Sequence, residues 1–325
     1  MTPNALCAGL ERLLDASVFF SFDRSGFVRH EAAFDPDDLA VDLAGRVCLV
    51  TGANSGIGFE TSASLAERGA TVWMLCRDRK RGEAALREVR RRTGSRRVHL
   101  GLLDVADPDS VRKFASAFKA PQVDVLVHNA GVLPAERILS SDGHELTLAT
   151  HVLGPWRLTK ALMHKLRASA DPRVIFVSSG GMYTQRLSLA DVEWQQRPYD
   201  GVKAYAQTKR MQVVLARLLA ADLPVGSESA MHPGWADTPA VRSSLPRFWS
   251  AMRGRLRTPA EGADTVVWLA ASKSARGHSG RFWFDRVPRS PHLLPWTRES
   301  SAERTALRDF CERHTESRVA QRRAA

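Results

Sequence analysis

Thr51-Gly52-Ala53-Asn54-Ser55-Gly56-Ile57-Gly58 is the stretch that decides the fold of this 325-residue chain. Residues 47–51 (Val-Cys-Leu-Val-Thr) lead into it as a short apolar run with β-branched ends, the pattern of a buried strand. Residues 60–68 behind it read as a helix stopped by Gly69. Strand, glycine turn and helix in that order make a dinucleotide-binding unit. Glycine lets the backbone approach a pyrophosphate, and the helix N-terminus offers it free N–H groups. The spacing is G-x-x-x-G-x-G rather than G-x-G-x-x-G, so the strand and helix context carries the reading more than the glycines do. Gly52, Asn54, Ser55, Gly56, Ile57 and Gly58 are the expected cofactor contacts.

A second strand is expected at residues 71–76 (Thr-Val-Trp-Met-Leu-Cys), and it stops at Arg77. An acidic residue at this place suits the ribose 2′-hydroxyl of NAD, whereas an arginine suits a 2′-phosphate. Asp78 comes one residue late for the first role. Residues 77–97 hold ten basic and three acidic side chains, +7 of the chain's net +12. Most of these arginines read as a solvated helix face, and Arg77 is the one at the cofactor position. NADP(H) is therefore the expected cofactor, with Asn54 and Ser55 as helpers from the glycine loop.

Downstream, the run Tyr205-Ala206-Gln207-Thr208-Lys209 places a phenol and an ammonium four residues apart, on one helix face. A nearby cation favours the phenolate, so the pair is expected to lower the Tyr205 pKa toward general acid–base work on a carbonyl or alcohol oxygen. With Asp104 after a third strand, Asn129-Ala130-Gly131, Ser178-Ser179 and Pro233-Gly234-Trp235-Ala236-Asp237-Thr238, the motifs fall in one order across residues 45–285. In that order they resemble the short-chain dehydrogenase/reductase family.

The resemblance implies a doubly wound parallel α/β sheet (a Rossmann fold) with the cofactor across the strand C-termini, and hydride transfer between nicotinamide and a carbonyl or alcohol carbon. It implies Tyr205 as the general acid or base, and Lys209 as the group that lowers its pKa and bonds the nicotinamide ribose. Ser179 would hold the substrate oxygen, with Ser178 its neighbour. Asn129, Ala130 and Gly131 would shape the cofactor floor. Pro233, Gly234 and Thr238 would bracket the carboxamide, and Asp104 would meet the adenine end. One position departs: the family's catalytic asparagine, three residues before a glycine, aligns with His151 before Gly154. Histidine here either takes part in a proton relay or is a satisfied helix residue without a catalytic part.

Alternation of strands and helical stretches from residue 46 to 284 predicts one α/β domain at residues 44–285, with an N-terminal helical extension (1–43) and a basic C-terminal tail (286–325). In the extension, Leu6, Leu10, Leu13, Leu14 and Val18 share a helical stripe, followed by Phe19, Phe20 and Phe22. Packing on the domain or a dimer contact fits this stripe better than an interfacial membrane helix, whose polar face would carry Lys and Arg. The stretch is too short and charged to span a bilayer. Cys7, Cys48, Cys76 and Cys311 form no close pair, and no His/Cys cluster has zinc spacing. A cytoplasmic protein without disulfides or metal is expected.

The positive charge raises nucleic acid as a partner, but the basic residues lack interleaved aromatics or a binding motif, so none is expected. Residues 239–257 correspond to the family's substrate lid. Leu245, Phe248, Trp249 and Met252 there suggest a lipophilic carbonyl or alcohol. The five arginines of the same segment suggest an anionic substrate group or weak contact with an anionic membrane surface, against the plainer reading of a solvated basic loop. The resemblance also implies a homo-oligomer through long helices, which the two extensions would obstruct. The expected function is an NADP(H)-dependent oxidoreductase interconverting an apolar aldehyde or ketone and its alcohol. The alternative is a catalytically weak NADP(H)-binding sensor or scaffold.

Overall fold

The computed structural model describes residues 14, 15, 17–223 and 226–323, with side chains of the last helix as far as residue 315. Leu6, Leu10 and Leu13 of the predicted stripe, and Cys7, lie outside these residues. Strand β1 (Val47–Thr51) and helix α3 (Gly56–Glu67) flank the glycine loop, and β2 (Thr71–Cys76) ends at Arg77 as expected. Then follow α4 (Arg79–Thr93), β3 (Val98–Leu102), α5 (Pro108–Ala117), β4 (Val125–His128), α6 (Gly154–Arg167), β5 (Arg173–Val177), α7 (Gly201–Ala220) and β6 (Ser227–Met231). The sheet closes with β7 (Arg281–Phe284) and β8 (Val287–Pro288).

Strand order is β3-β2-β1-β4-β5-β6-β7-β8, with only β8 antiparallel. The period of two along each strand explains why both faces are covered. In β1, Leu49 joins the core beneath α5, α6 and α7, while Cys48 and Val50 join the core beneath α3 and α10 (Pro259–Ala271). The order reverses between β1 and β4, which opens a crevice at the strand C-termini.

The N-terminal extension packs on the domain. Its helices α1 (Val18–Phe22) and α2 (Arg24–Glu31) lie against the turn after β6, where Trp235 N–H donates to Phe22 O at 2.8 Å. The Phe22 ring meets His232, Trp235 and Phe284. A buried ion pair fixes this contact. The Arg257 guanidinium donates to both Asp285 oxygens at 2.6 and 2.9 Å, and to the Ser21, Phe22 and Asp23 carbonyls. His30 bridges Asp285 at 2.6 Å and Asp15 at 2.7 Å.

The predicted C-terminal tail is part of the domain. Strand β8 lies beyond the expected boundary at residue 285, and helix α11 (Ser301–Arg323) buries Leu307 and Cys311 completely. Arg157 donates to His314 O at 2.8 Å, which ties α11 to α6.

Arg257→Met strands the buried Asp285 carboxylate without its bidentate partner. This variant is expected to lose about 3–5 kcal/mol of unfolding free energy in urea, and a loss near zero would show that the clamp does not hold the extension. Burial works against protonated His30, but hydrogen bonds to Asp285 and Asp15 outweigh it and raise the pKa above the ordinary 6.5. The stabilisation from His30 is thus full below pH 6.5 and lost as pH rises through the raised folded value. The melting temperatures of wild type and His30→Gln should converge over that rise.

Candidate active site

A cleft of about 750 Å³ runs along the strand C-termini. Gly52, Asn54, Ser55, Gly56, Ile57, Arg77, Asp104, Asn129, Ala130, Gly131, Ser179, Tyr205, Lys209, Pro233, Gly234 and Thr238 all line it. Of the predicted site residues, Gly58 and His151 do not. They sit behind the wall, and each shapes it.

The glycine loop is held by hydrogen bonds from the neighbouring strand end. Thr51 Oγ1 accepts from the Asn129 and Ala130 N–H groups, both at 3.0 Å. Asn129 Nδ2 donates to Thr51 O at 2.9 Å and Gly52 O at 3.2 Å. Gly52 has φ +64°, and a Cβ there would stand 2.8 Å from Ala130 Cα. A Cβ on Gly58 would stand 2.4 Å from Asn129 Nδ2, so only glycine admits this approach. Ser55 caps α3 without a side-chain hydrogen bond, which leaves the first-turn N–H groups for an anion.

At the end of β2, Asp78 is committed to capping α4, accepting from Arg81 N–H at 2.7 Å. Arg77 and Arg81 both face the cleft, and neither has an ion-pair partner among the described residues. The first turn of α4 carries Arg79, Lys80 and Arg81 and no acid, opposed to the helix dipole. Sequence reading missed Arg81, although its place in that acid-free turn was the available signal.

At the other end, Ser178 and Ser179 part company. Buried Ser178 donates to Lys209 O at 2.8 Å and pins α7 to β5. Ser179 faces the cleft, and its Oγ accepts from the Gly181 N–H at 3.3 Å. The Lys209 ammonium donates to Val177 O at 2.7 Å and Gln212 Oε1 at 3.0 Å. Burial pushes its pKa down to about 7. The expected lowering of the Tyr205 pKa by Lys209 is not the balance found. Burial raises it, and the Ser179 hydroxyl works against that rise.

His151 lies in a π-turn (Ala149–Leu153) entering α6, the kind of helix irregularity that recurs at functional sites. Its Nε2 accepts from Val132 N–H at 3.0 Å, which puts the proton on Nδ1. Nδ1 meets Thr208 Oγ1 at 2.8 Å. Burial and then the Lys209 charge hold its pKa well below the ordinary value. The ring is a neutral bridge between the β4 loop and α7, standing edge-on to Tyr205 with centroids 5.4 Å apart.

The segment expected to form the lid holds α8 (Pro239–Ser244) and α9 (Pro246–Met252). Leu245 and Phe248 face the cleft, but Trp249 turns its N–H to Asp237 at 2.9 Å and Met252 is buried behind. None of the five lid arginines lines the cleft. Arg242 pairs with Asp237, Arg255 with Asp23 and Arg257 with Asp285. The expectation of an arginine gripping an anionic substrate is therefore not met, because three of these side chains are spent on protein carboxylates.

The short chain dehydrogenase family profile matches residues 46–246. The chain belongs to the short-chain dehydrogenase/reductase family. Human dehydrogenase/reductase SDR family member 12 is 44% identical over 294 residues, 90% of this chain and 93% of that one. Mouse retinol dehydrogenase 11 is 35% identical over 256 residues, 75% of this chain and 79% of that one. Among solved structures, an uncharacterised protein from Mycobacterium paratuberculosis has TM-score 0.67 at 31% identity, covering 85% of this chain and 95% of its own. A short chain dehydrogenase from Escherichia coli CFT073 complexed with NADPH has TM-score 0.62 at 25% identity, covering 78% of this chain and 100% of its own. Family membership makes the chain an oxidoreductase of the CH–OH/C=O class with a nicotinamide cofactor. No helix among the described residues is long and apolar enough to cross a membrane.

The two serines differ in a way that is measurable. Ser178→Ala should cost about 1 kcal/mol of stability, the worth of a buried hydrogen bond. Ser179→Ala should leave the melting temperature nearly unchanged and lower turnover instead. The reverse pattern would reassign the pair.

Proposed function

We propose that this protein is an NADP(H)-dependent oxidoreductase that interconverts an apolar aldehyde or ketone and its alcohol. The observation that carries the proposal is one cleft with unpaired arginines at one end and Tyr205, Ser179 and Lys209 at the other. The residues suit the dinucleotide: a Gly-lined cradle, uncapped N–H groups at α3, and two free guanidiniums where a 2′-phosphate belongs. Asp78 is engaged as a helix cap and does not compete for a ribose hydroxyl. Nicotinamide, when bound, supplies or accepts the hydride.

This chain's residues perform the remaining tasks. Ser179 Oγ orients the substrate oxygen. Tyr205 Oη passes the proton to that oxygen in reduction and takes it back in oxidation. A phenol whose pKa is raised by burial carries the proton that reduction needs. Lys209, tethered to Val177 and Gln212, retains a third ammonium hydrogen for a ribose hydroxyl. The wall around these groups is apolar: Leu133, Leu146, Val202, Trp235, Leu245 and Phe248. Such a wall selects a lipophilic substrate by burying its surface, and the relatives named for retinol support the same class. The binding-protein alternative draws on His151 and the two terminal extensions, and a His151 ring with both nitrogens engaged reads as a structural bridge rather than a lost catalytic group.

Tyr205→Phe should reduce turnover at least ~100-fold, the usual scale of lost acid–base catalysis, with NADPH affinity close to wild type. Retained turnover would remove Tyr205 from the mechanism. Arg77→Ala should weaken NADPH by about 1.5–3 kcal/mol, the worth of hydrogen bonds to a charged group, and leave NADH nearly untouched. Equal losses in fluorescence titrations with the two cofactors would refute the 2′-phosphate assignment.

A further inference from the structure

Helix α7 presents Tyr205, Lys209 and Gln212 toward the same wall, and the third of these belongs to no motif. Gln212 is fully buried. Its Oε1 accepts from the Lys209 ammonium at 3.0 Å, and its Nε2 donates to His151 O at 3.1 Å. The orientation of the amide is fixed by its neighbours. An ammonium only donates and a carbonyl only accepts, so Oε1 must face Lys209 and Nε2 must face His151.

The chain makes this carbonyl available. In a regular helix, the His151 carbonyl would accept from the N–H of residue 155. That residue is Pro155, which has none. The π-turn shifts the local pattern so that Gly154 N–H bonds Ala149 O. The His151 carbonyl thus lacks the ordinary i+4 helical donor, and Gln212 Nε2 donates to it.

We propose that Gln212 is the positioning residue of Lys209, a side-chain amide that ties the ammonium to the His151 carbonyl of the π-turn and holds it in its charged form beneath Tyr205. This rests on the oxidoreductase reading for its catalytic meaning. The titratable groups facing the ammonium are the Tyr205 phenol on its own helix and the neutral His151 imidazole on the π-turn. Strand β5 contributes only the uncharged Val177 and, through Oγ on the Lys209 carbonyl, Ser178. Burial has already brought the ammonium pKa to about 7, so a change in one acceptor moves it across the working range.

Two substitutions push in opposite directions. Gln212→Met keeps the volume and removes the acceptor, which lowers the Lys209 pKa. Gln212→Glu puts a carboxylate beside the ammonium, which raises it by about one unit or more. The readout is ¹⁵N NMR of labelled lysine in the protein without dinucleotide, with the Lys209 signal assigned by its loss in Lys209→Arg. The pH profile of kcat/KM is followed in parallel. Opposite shifts of the Lys209 titration, with the alkaline limb of activity moving the same way in each variant, are the expected result. No shift in either variant, or shifts in one direction, would overturn the proposal, since a purely structural glutamine does not separate the two. The NMR titration needs no turnover. Opposite NMR shifts in a protein that reduces no carbonyl would sink the oxidoreductase reading and leave the Gln212 link intact.

Discussion

The site depends on a cation buried without a counter-ion. Lys209 has no carboxylate partner among the described residues, and the Val177 carbonyl and the Gln212 amide alone hold its ammonium. Burying a charge is costly unless its hydrogen bonds are met. Each partner must therefore stay in place, which fixes α7 against β5 and the π-turn. Ser178 reinforces that seat from the strand side, and His151 from the loop side through Thr208. The phenol of Tyr205 inherits its position from these contacts.

A second constraint acts from outside the sheet. The turn that follows β6 carries Pro233, Gly234 and Trp235 into the cleft, and the N-terminal extension packs on its back through Phe22. The buried Arg257–Asp285 pair ties that extension to the exit of the lid. A buried pair of this kind is weak support for stability in itself, but breaking it is expensive. The extension therefore forms part of the wall behind the substrate end.

Much of this was legible in the chain. The apolar run before Gly52 and the helix after it set the first βα unit, because period and glycine placement are local signals. The place of Arg77, at the end of β2 and on the cleft, was legible for the same reason. The roles of Arg257, Asp285 and His30 were not, since their partners lie 28 and 255 residues apart in sequence and nothing in a local pattern marks them. Gln212 was hidden because a buried amide in a helix looks like any polar residue until its two neighbours are known, although Pro155 already removes the ordinary helical donor to the His151 carbonyl. The lid arginines misled because their sign was visible and their carboxylate partners were not.

The most direct test of the account is to titrate the purified protein with NADPH and NADH by nicotinamide fluorescence, then add medium-chain apolar aldehydes and follow loss of NADPH absorbance. The account predicts saturable binding with NADPH preferred over NADH, followed by aldehyde-dependent oxidation of NADPH. Failure to bind either dinucleotide would contradict it at the root.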